Sequence, residues 1–278
     1  VSARDTTSSP AGGDPWLPAV GRALGGTARV RTRTPLGGGH VAATVERIDL
    51  DVAGRAVPVV VKAASAVEVA ALRAVAVVGG VPRPLAVGAG FTVTPFVDAP
   101  ALADGAPVPD AVWDTLDRVH AHWHRKRPRG IPVVDGPWWA ALCDRTLVAV
   151  RAGLARTGDA AFADAAQALE SWRGDRRILR ALATLPRTLC HGDPHRGNIL
   201  GDTLIDWGNA RVAPAGLDLA VLRAQGADTA PHDAPGERDW ADVHVHVQYL
   251  GFAADHLGAE RVAEMVATAA HALDRLSP

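Results

Sequence analysis

Residues 189–208 read Leu189-Cys-His-Gly-Asp-Pro-His-Arg-Gly-Asn-Ile-Leu-Gly-Asp-Thr-Leu-Ile-Asp-Trp-Gly208. The stretch puts His191, Asp193, His195, Asn198 and Asp206 into one short segment between apolar runs that look like strand ends. Asp193 and Asn198 share a loop, and Asp206 follows Thr203-Leu204-Ile205, a brief apolar run that reads as a buried strand. Two carboxylates and an amide oxygen suit a hard divalent cation, because Mg²⁺ takes oxygen ligands and leaves its other positions to water or phosphate. A free carboxylate beside such an ion can take the proton of an attacking hydroxyl, which is the skeleton of a phosphoryl-transfer site. The ordinary alternative is a loop, since Asp, Asn and Gly are common loop formers and Asp-Pro is usually a turn. Zinc is a lesser alternative, because no set of Cys and His at metal-like spacing surrounds the two histidines. The loop-only reading weakens because the rest of the chain supplies the other parts of a kinase.

With 278 residues the chain can bury a large core in one or two domains. A net charge of −1 implies neither a nucleic-acid partner nor an anionic membrane. Cys143 and Cys190 stand far apart, give no disulfide framework and fit a reducing cytoplasm. No apolar run approaches the length of a transmembrane helix, and no internal repeat has a fixed period. The first residues, 1–15, are rich in Ser, Thr, Gly and Pro and read as a disordered tail. Of the 29 basic residues only Lys62 and Lys126 are lysine. In so arginine-rich a chain, a lysine at the end of a buried-looking strand invites a role that arginine cannot fill.

Taken in order, Ala28 to Thr34 and Val41 to Leu50 alternate like two strands of a hairpin around Leu36-Gly37-Gly38-Gly39-His40. Backbone N–H groups of Gly37, Gly38 and Gly39 can approach phosphates because no side chain blocks them, although glycine runs are also ordinary flexible turns. Ala56 to Lys62 is strongly β-prone, and Lys62 either snorkels to water or sets a point charge on nucleotide phosphates. A helix is expected over Ala66 to Val78, with Glu68 near its start, where it suits the helix dipole or pairs with Lys62. Pro82 to Val87 and Phe91 to Val97 read as two more strands. A purine would find backbone partners around Thr94 and Phe96, with Phe96 the expected donor because Pro95 has no N–H. The Pro/Ala/Gly/Asp-rich residues up to Pro109 separate a β-rich lobe, 16–98, from a helical lobe, 99–278. The expected class is α+β, with a small antiparallel sheet carrying one helix ahead of a larger, mainly helical lobe.

In the helical lobe, Val112, Leu116, Val119 and Trp123 recur at helical spacing. His120 and His124 share a face of that helix and read as exposed side chains in preference to metal ligands. Trp138 and Trp139 open a further helix and read as core before substrate stacking. Shorter helices follow around Phe162 to Trp172 and Arg176 to Leu185, and two long ones over Asp239 to Leu257 and Glu260 to Leu276. Asp218 is a simple N-cap on its residue type alone. The acid-rich segment 228–242 reads as solvated surface, or as an attractor for a polycationic substrate if it borders a cleft.

The combined pattern His191-Gly-Asp193-x-x-x-x-Asn198 then Ile205-Asp206-x-Gly208 resembles the signature of the aminoglycoside phosphotransferase family, relatives of protein kinases. With the glycine turn, Lys62 and Glu68 the resemblance spans nearly the whole chain and implies a two-lobed, protein-kinase-like fold. It implies Asp193 as catalytic base, Asn198 and Asp206 as Mg²⁺ ligands, and Lys62 on the α/β-phosphates of ATP or GTP with Glu68 as its partner. It makes His191 a loop-fixing residue and Asp218 the brace of the catalytic loop. His195 stands where eukaryotic protein kinases carry a lysine near the transferred phosphate, and the Gly37–His40 turn lacks the protein-kinase glycine spacing. The expected acceptor is a hydroxyl of an aminoglycoside or another sugar-bearing or nucleoside antibiotic, in resistance or self-protection. A metabolic kinase for a sugar or amino alcohol shares the same loop chemistry. A nucleotide-binding pseudokinase is disfavoured because Lys62, Asp193, Asn198 and Asp206 are all present. Acceptor identity, donor preference and oligomeric state are not written in these motifs.

Overall fold

A computed structural model describes residues 14–37, 45–234 and 236–276. A short helix, α1 (Leu17–Ala23), leads into the antiparallel strands β1 (Ala28–Pro35), β2 (Val45–Val52) and β3 (Arg55–Ala63). In β2 the alternation anticipated from sequence is plain: Ile48, Leu50 and Val52 are fully buried while Asp49 and Asp51 turn outward. Those outward acids meet Arg31 and Thr32 of β1, which fixes the register by cross-strand pairing. Ala53 and Gly54 both have positive φ, the backbone that a two-residue hairpin turn between right-twisted strands requires. Helix α2 (Ala66–Val75) starts at Ser65, whose hydroxyl accepts from the Glu68 amide at 3.1 Å.

Strands β4 (Ala86–Gly88) and β5 (Phe91–Pro95) complete a five-stranded sheet of order β1-β2-β3-β5-β4. The strand expected from Pro82 shrinks to three residues, because Pro82 and Pro84 have no N–H to give to a ladder. The helices then follow: α3 (Asp110–Trp123), α4 (Gly136–Thr157), α5 (Ala160–Trp172) and α6 (Arg176–Thr184). Asp135, Asp159 and Asp175 each accept a backbone N–H at the start of α4, α5 and α6, which is why those helices begin where they do. Short strands β6 (Thr188–Cys190), β7 (Ile199–Leu200), β8 (Thr203–Leu204) and β9 (Arg211–Ala213) come next, with 3-10 turns at Arg196–Asn198 and Trp207–Asn209. Helices α7 (Gly216–Arg223), α8 (Glu237–His256) and α9 (Ala259–Arg275) close the chain.

Two cores matter for the site. One joins α4, α5, α8 and α9 around Trp139, Phe162, Leu169 and Trp240. The other runs from Ala71, Leu72 and Val75 of α2 through Leu116 of α3 to Leu189, Ile199, Leu204 and Trp207. That second cluster ties the helix beneath the sheet to the hairpin carrying the motif, so their relative position is set by packing. The architecture is α+β, as expected. Cys143 and Cys190 are free and buried. Among the described residues no helix is long and apolar enough to cross a membrane.

Candidate active site

Strand β6 delivers the chain to Gly192, whose φ is +82°. A Cβ there would lie 2.1 Å from the carbonyl oxygen of Asn209, so two backbone segments approach as only glycine allows. Gly192→Ala is expected to cost at least about 2 kcal/mol from the strained conformation and clash together. The measurement is thermal unfolding alongside turnover, and a variant with unchanged midpoint and rate would contradict this account of the loop.

The loop is pinned from below by Asp218, fully buried in the first turn of α7. Its carboxylate accepts from the His191 amide at 2.9 Å, the Gly192 amide at 2.7 Å and, through Oδ2, contacts Nε2 of His120 at 2.9 Å. Burial alone would push its pKa up, but the His120 bond and charge, His191 and the Gly192 amide outweigh burial and hold it below the ordinary value. Asp218 is therefore no N-cap: Ala215 holds that place. His120 likewise departs from the exposed-histidine expectation, because the partner that anchors it lies far along the chain. His120, Cys190 and Asp218 lie close enough to suggest a metal site. The carboxylate is already taken up by two amides, and burial keeps the Cys190 thiol protonated and donating to the Ala213 and Pro214 carbonyls. The trio is a hydrogen-bond node.

The His191 ring joins the two halves of the motif. Nε2 donates to the Ile205 carbonyl at 2.8 Å, while Nδ1 accepts from the Asp193 amide at 3.3 Å. Burial lowers its pKa, so the ring is the neutral Nε2–H tautomer that both bonds require. Asn198 donates its side-chain N–H to the Asp193 carbonyl at 2.9 Å, which leaves its oxygen as the end for a cation. Asp206 sits in the left-handed region at φ +60° and accepts from the Gly208 amide at 3.3 Å. His195 accepts from the Gly197 amide at 3.0 Å and caps the 3-10 turn, a local task not foreseen for it.

Lys62 reaches from β3 into this loop. Its Nζ lies 2.7 Å from Asp206 Oδ1 and 3.2 Å from Glu68 Oε1. Burial would lower the lysine pKa, but the two carboxylates raise it, so the ammonium stays charged. Burial raises Asp206 as well, yet the Lys62 bond more than offsets this and keeps the carboxylate ionised. Glu68, buried and near the Asp206 charge, is pushed up. The Lys62–Glu68 pair was foreseen; the Lys62–Asp206 contact, between residues far apart in sequence, was not.

These groups border a cleft of about 300 Å³ between the sheet and the motif, with Val60, Thr94, Phe96 and Leu204 among its walls. Gly37 lies at its edge, whereas Gly38 and Gly39 fall outside the described residues. Phe96 cannot serve as the purine donor by its amide, because that N–H already donates to the Pro58 carbonyl at 3.1 Å. The next amide, Val97, also lines the cleft and has no partner among the described residues. A larger groove of about 900 Å³ lies behind α2 between Ala70, Arg73 and Trp123, but no carboxylate or nucleophile lines it. The smaller cleft brings Lys62, Glu68, Asn198 and Asp206 together.

On the far side of the loop four residues surround Asp193 that sequence reading passed over. Asn209 Nδ2 donates to its Oδ2 at 3.0 Å, and the Tyr249 hydroxyl donates to its Oδ1. Arg211, only 7% exposed, donates to the Asn209 carbonyl at 2.9 Å and to Gln248 Oε1 at 3.0 Å. Gln248 in turn donates to the Gly192 carbonyl at 3.2 Å. Arg211 forms no ion pair among the described residues, and burial pulls its pKa down. Its guanidinium lies 5.1 Å from the ring of Trp138, which stacks on His244. One signal was available: Tyr249 is the single tyrosine of the chain. The acidic segment finds its main partners outside itself. Asp233 and Asp242 pair with Arg223, Asp239 pairs with Arg275, and Glu237 accepts from the Gly216 amide.

The donor set fits a hard cation: Asn198 and Asp206 bring oxygen ligands to one side of the cleft, with Lys62 beside them. None of the curated proteins matches the chain in sequence. Spectinomycin phosphotransferase, solved with ADP and spectinomycin, is similar with a TM-score of 0.53 at 13% identity, covering 91% of this chain and 90% of that one. Choline kinase from Cryptosporidium parvum Iowa II has a TM-score of 0.60 at 9% identity, covering 89% and 90%. An aminoglycoside phosphotransferase in ternary complex with ADP and hygromycin B has a TM-score of 0.57 at 15% identity, covering 88% and 94%. At these identities the likeness shows a shared kinase-like fold. The model described as the phosphotransferase enzyme family matches residues 32–272, nearly the whole of the chain. On that match, the chain is a phosphotransferase and belongs to the phosphotransferase enzyme family.

Proposed function

We propose that this phosphotransferase moves the γ-phosphoryl group of ATP or GTP to a hydroxyl of a small molecule. The observation that carries the reading is Lys62, held between Glu68 and Asp206 at the mouth of the loop that presents Asn198 and Asp193. Phosphoryl transfer needs positioning and charge neutralisation more than covalent work, and this arrangement supplies both. Residues 16–98 form the nucleotide-binding lobe and 99–278 the lobe with the catalytic loop and acceptor site. Lys62 holds the α/β-phosphates and Glu68 orients it. The purine seats against Thr94 with the Val97 amide as donor, and Gly37 lies at the phosphate end of the cleft. Asn198 and Asp206 would hold Mg²⁺, which supplies charge neutralisation on the transferred phosphate. Asp193 orients the acceptor hydroxyl and takes its proton, while His191 and Asp218 hold the loop in shape. The free, buried cysteines suit a cytoplasmic enzyme.

For the acceptor, a sugar-bearing or nucleoside antibiotic is the first reading, and an amino alcohol or sugar the second. Spectinomycin and hygromycin B, bound in two of the structural neighbours, and the choline for which a third is named supply candidates for both. In the acidic segment Asp233 and Asp242 pair with Arg223 and Asp239 with Arg275, which weakens its case as an attractor for a polycation. The test is a nucleoside diphosphate release screen with MgATP and MgGTP over aminoglycosides, nucleoside and peptide antibiotics, sugars and amino alcohols. Release with one class identifies the acceptor. Nucleotide binding without release for any acceptor would replace the kinase with a pseudokinase.

A further inference from the structure

The two oxygens of Asp193 meet different parts of the molecule. Oδ2 accepts from Asn209, which belongs to the same turn as Asp206 and so to the nucleotide side. Oδ1 accepts from the hydroxyl of Tyr249, which comes from α8 in the helical lobe, the acceptor side. Burial and the adjacent Asp193 charge push the phenol's pKa up, so Tyr249 stays protonated and is the donor. The frame behind it is fixed, because Gln248 ties α8 to the Gly192 carbonyl and to Arg211.

An acceptor hydroxyl ready for transfer must donate its own O–H to the base. Tyr249 already presents that group, an O–H on a carbon skeleton, to the oxygen that faces the acceptor side. We propose that Tyr249 is a gate: its hydroxyl occupies the acceptor's seat on Asp193 until an acceptor displaces it. The inference rests on the phosphotransferase reading above with Asp193 as base. While the seat is filled, water does not take it, and the bound nucleotide is spared hydrolysis. In that side reaction the water oxygen would bond to the γ-phosphorus, the bond to the β–γ bridging oxygen would break, and the water proton would pass to Asp193. The gate also selects, because only a compound whose hydroxyl replaces the phenol's hydrogen bond gains access to the base.

The test uses the full chain and water as the probe acceptor: phosphate release from MgATP and MgGTP without any added acceptor. Y249F, which removes only the hydroxyl, is expected to raise this release by about tenfold, part of the roughly 10²–10⁴ that a fully positioned base contributes. The double variant D193N/Y249F is expected to lose the gain. Unchanged or lower release from a folded Y249F overturns the gate and leaves Tyr249 as a residue that steadies Asp193. Should Y249F fold poorly by circular dichroism, Y249L carries the same expectation and the same reversal. The two readings fail separately. If wild type transfers phosphate to a screened acceptor while Y249F shows no gain, only the gate falls. If both proteins bind nucleotide and neither transfers nor hydrolyses, the phosphotransferase reading falls, and the gate falls with it.

Discussion

Asp193→Asn is expected to lower kcat by about 10²–10⁴ while leaving nucleotide affinity close to that of the wild type. The substitution is nearly isosteric. The carbonyl oxygen of the new side-chain amide can still accept from Asn209 or Tyr249, so the loop set by Gly192, His191 and Asp218 keeps its anchors. What disappears is the carboxylate proposed to accept the acceptor's proton as the new P–O bond forms. The proposed nucleotide contacts lie elsewhere, at Lys62, Asp206 and Asn198 in the cleft, which is why binding by calorimetry and turnover should separate. Loss of both together would mean that Asp193 shapes the nucleotide site and not the proton transfer. Near-normal turnover would remove it as base altogether.

The motif residues were legible in sequence because they lie within one segment whose geometry is local. His191 is bonded to the Asp193 amide and to Ile205, and Asn198 to the Asp193 carbonyl. Lys62 was legible through chemistry, as a lysine kept in an arginine-rich chain at a strand end. Contacts made by folding over long separations were not legible. Tyr249 and Gln248 lie on a helix whose pattern announces only amphipathicity, and nothing local says which of its faces meets the loop. The ion pairs of the acidic segment were hidden for the same reason, since Arg223 and Arg275 become its partners only once α7, α8 and α9 pack. Phe96 misled differently. Residue type shows that Pro95 lacks a donor, but whether the next amide is free depends on how far β5 stays paired along β3, and the Pro58 carbonyl takes it.

The second large effect is expected at Asp218, which touches no reacting atom. Asp218→Ala removes a fully buried carboxylate and strands the His191 and Gly192 amides and the His120 ring without a partner. Breaking such a buried, charge-assisted cluster costs about 3–5 kcal/mol. For a chain of this size that corresponds to a fall in unfolding midpoint on the order of 10 °C. Activity should fall with it even at temperatures where the variant is folded, because Gly192 and Asp193 lose their support from below. The pH dependence gives an independent check. The folded carboxylate has a pKa below the ordinary value of 3.8, so the unfolded chain takes up this proton at higher pH than the native one. Its contribution is therefore fully present at neutral pH and is lost as pH falls below that value toward the native pKa. The stability gap between wild type and Asp218→Ala should be widest near pH 7 and narrow in acid. A gap that widens as pH falls through that window would mean the native carboxylate binds its proton more tightly than the unfolded one. Asp218 would then sit in the loop as a neutral acid, and the charged brace beneath His191 and Gly192 would be the wrong description.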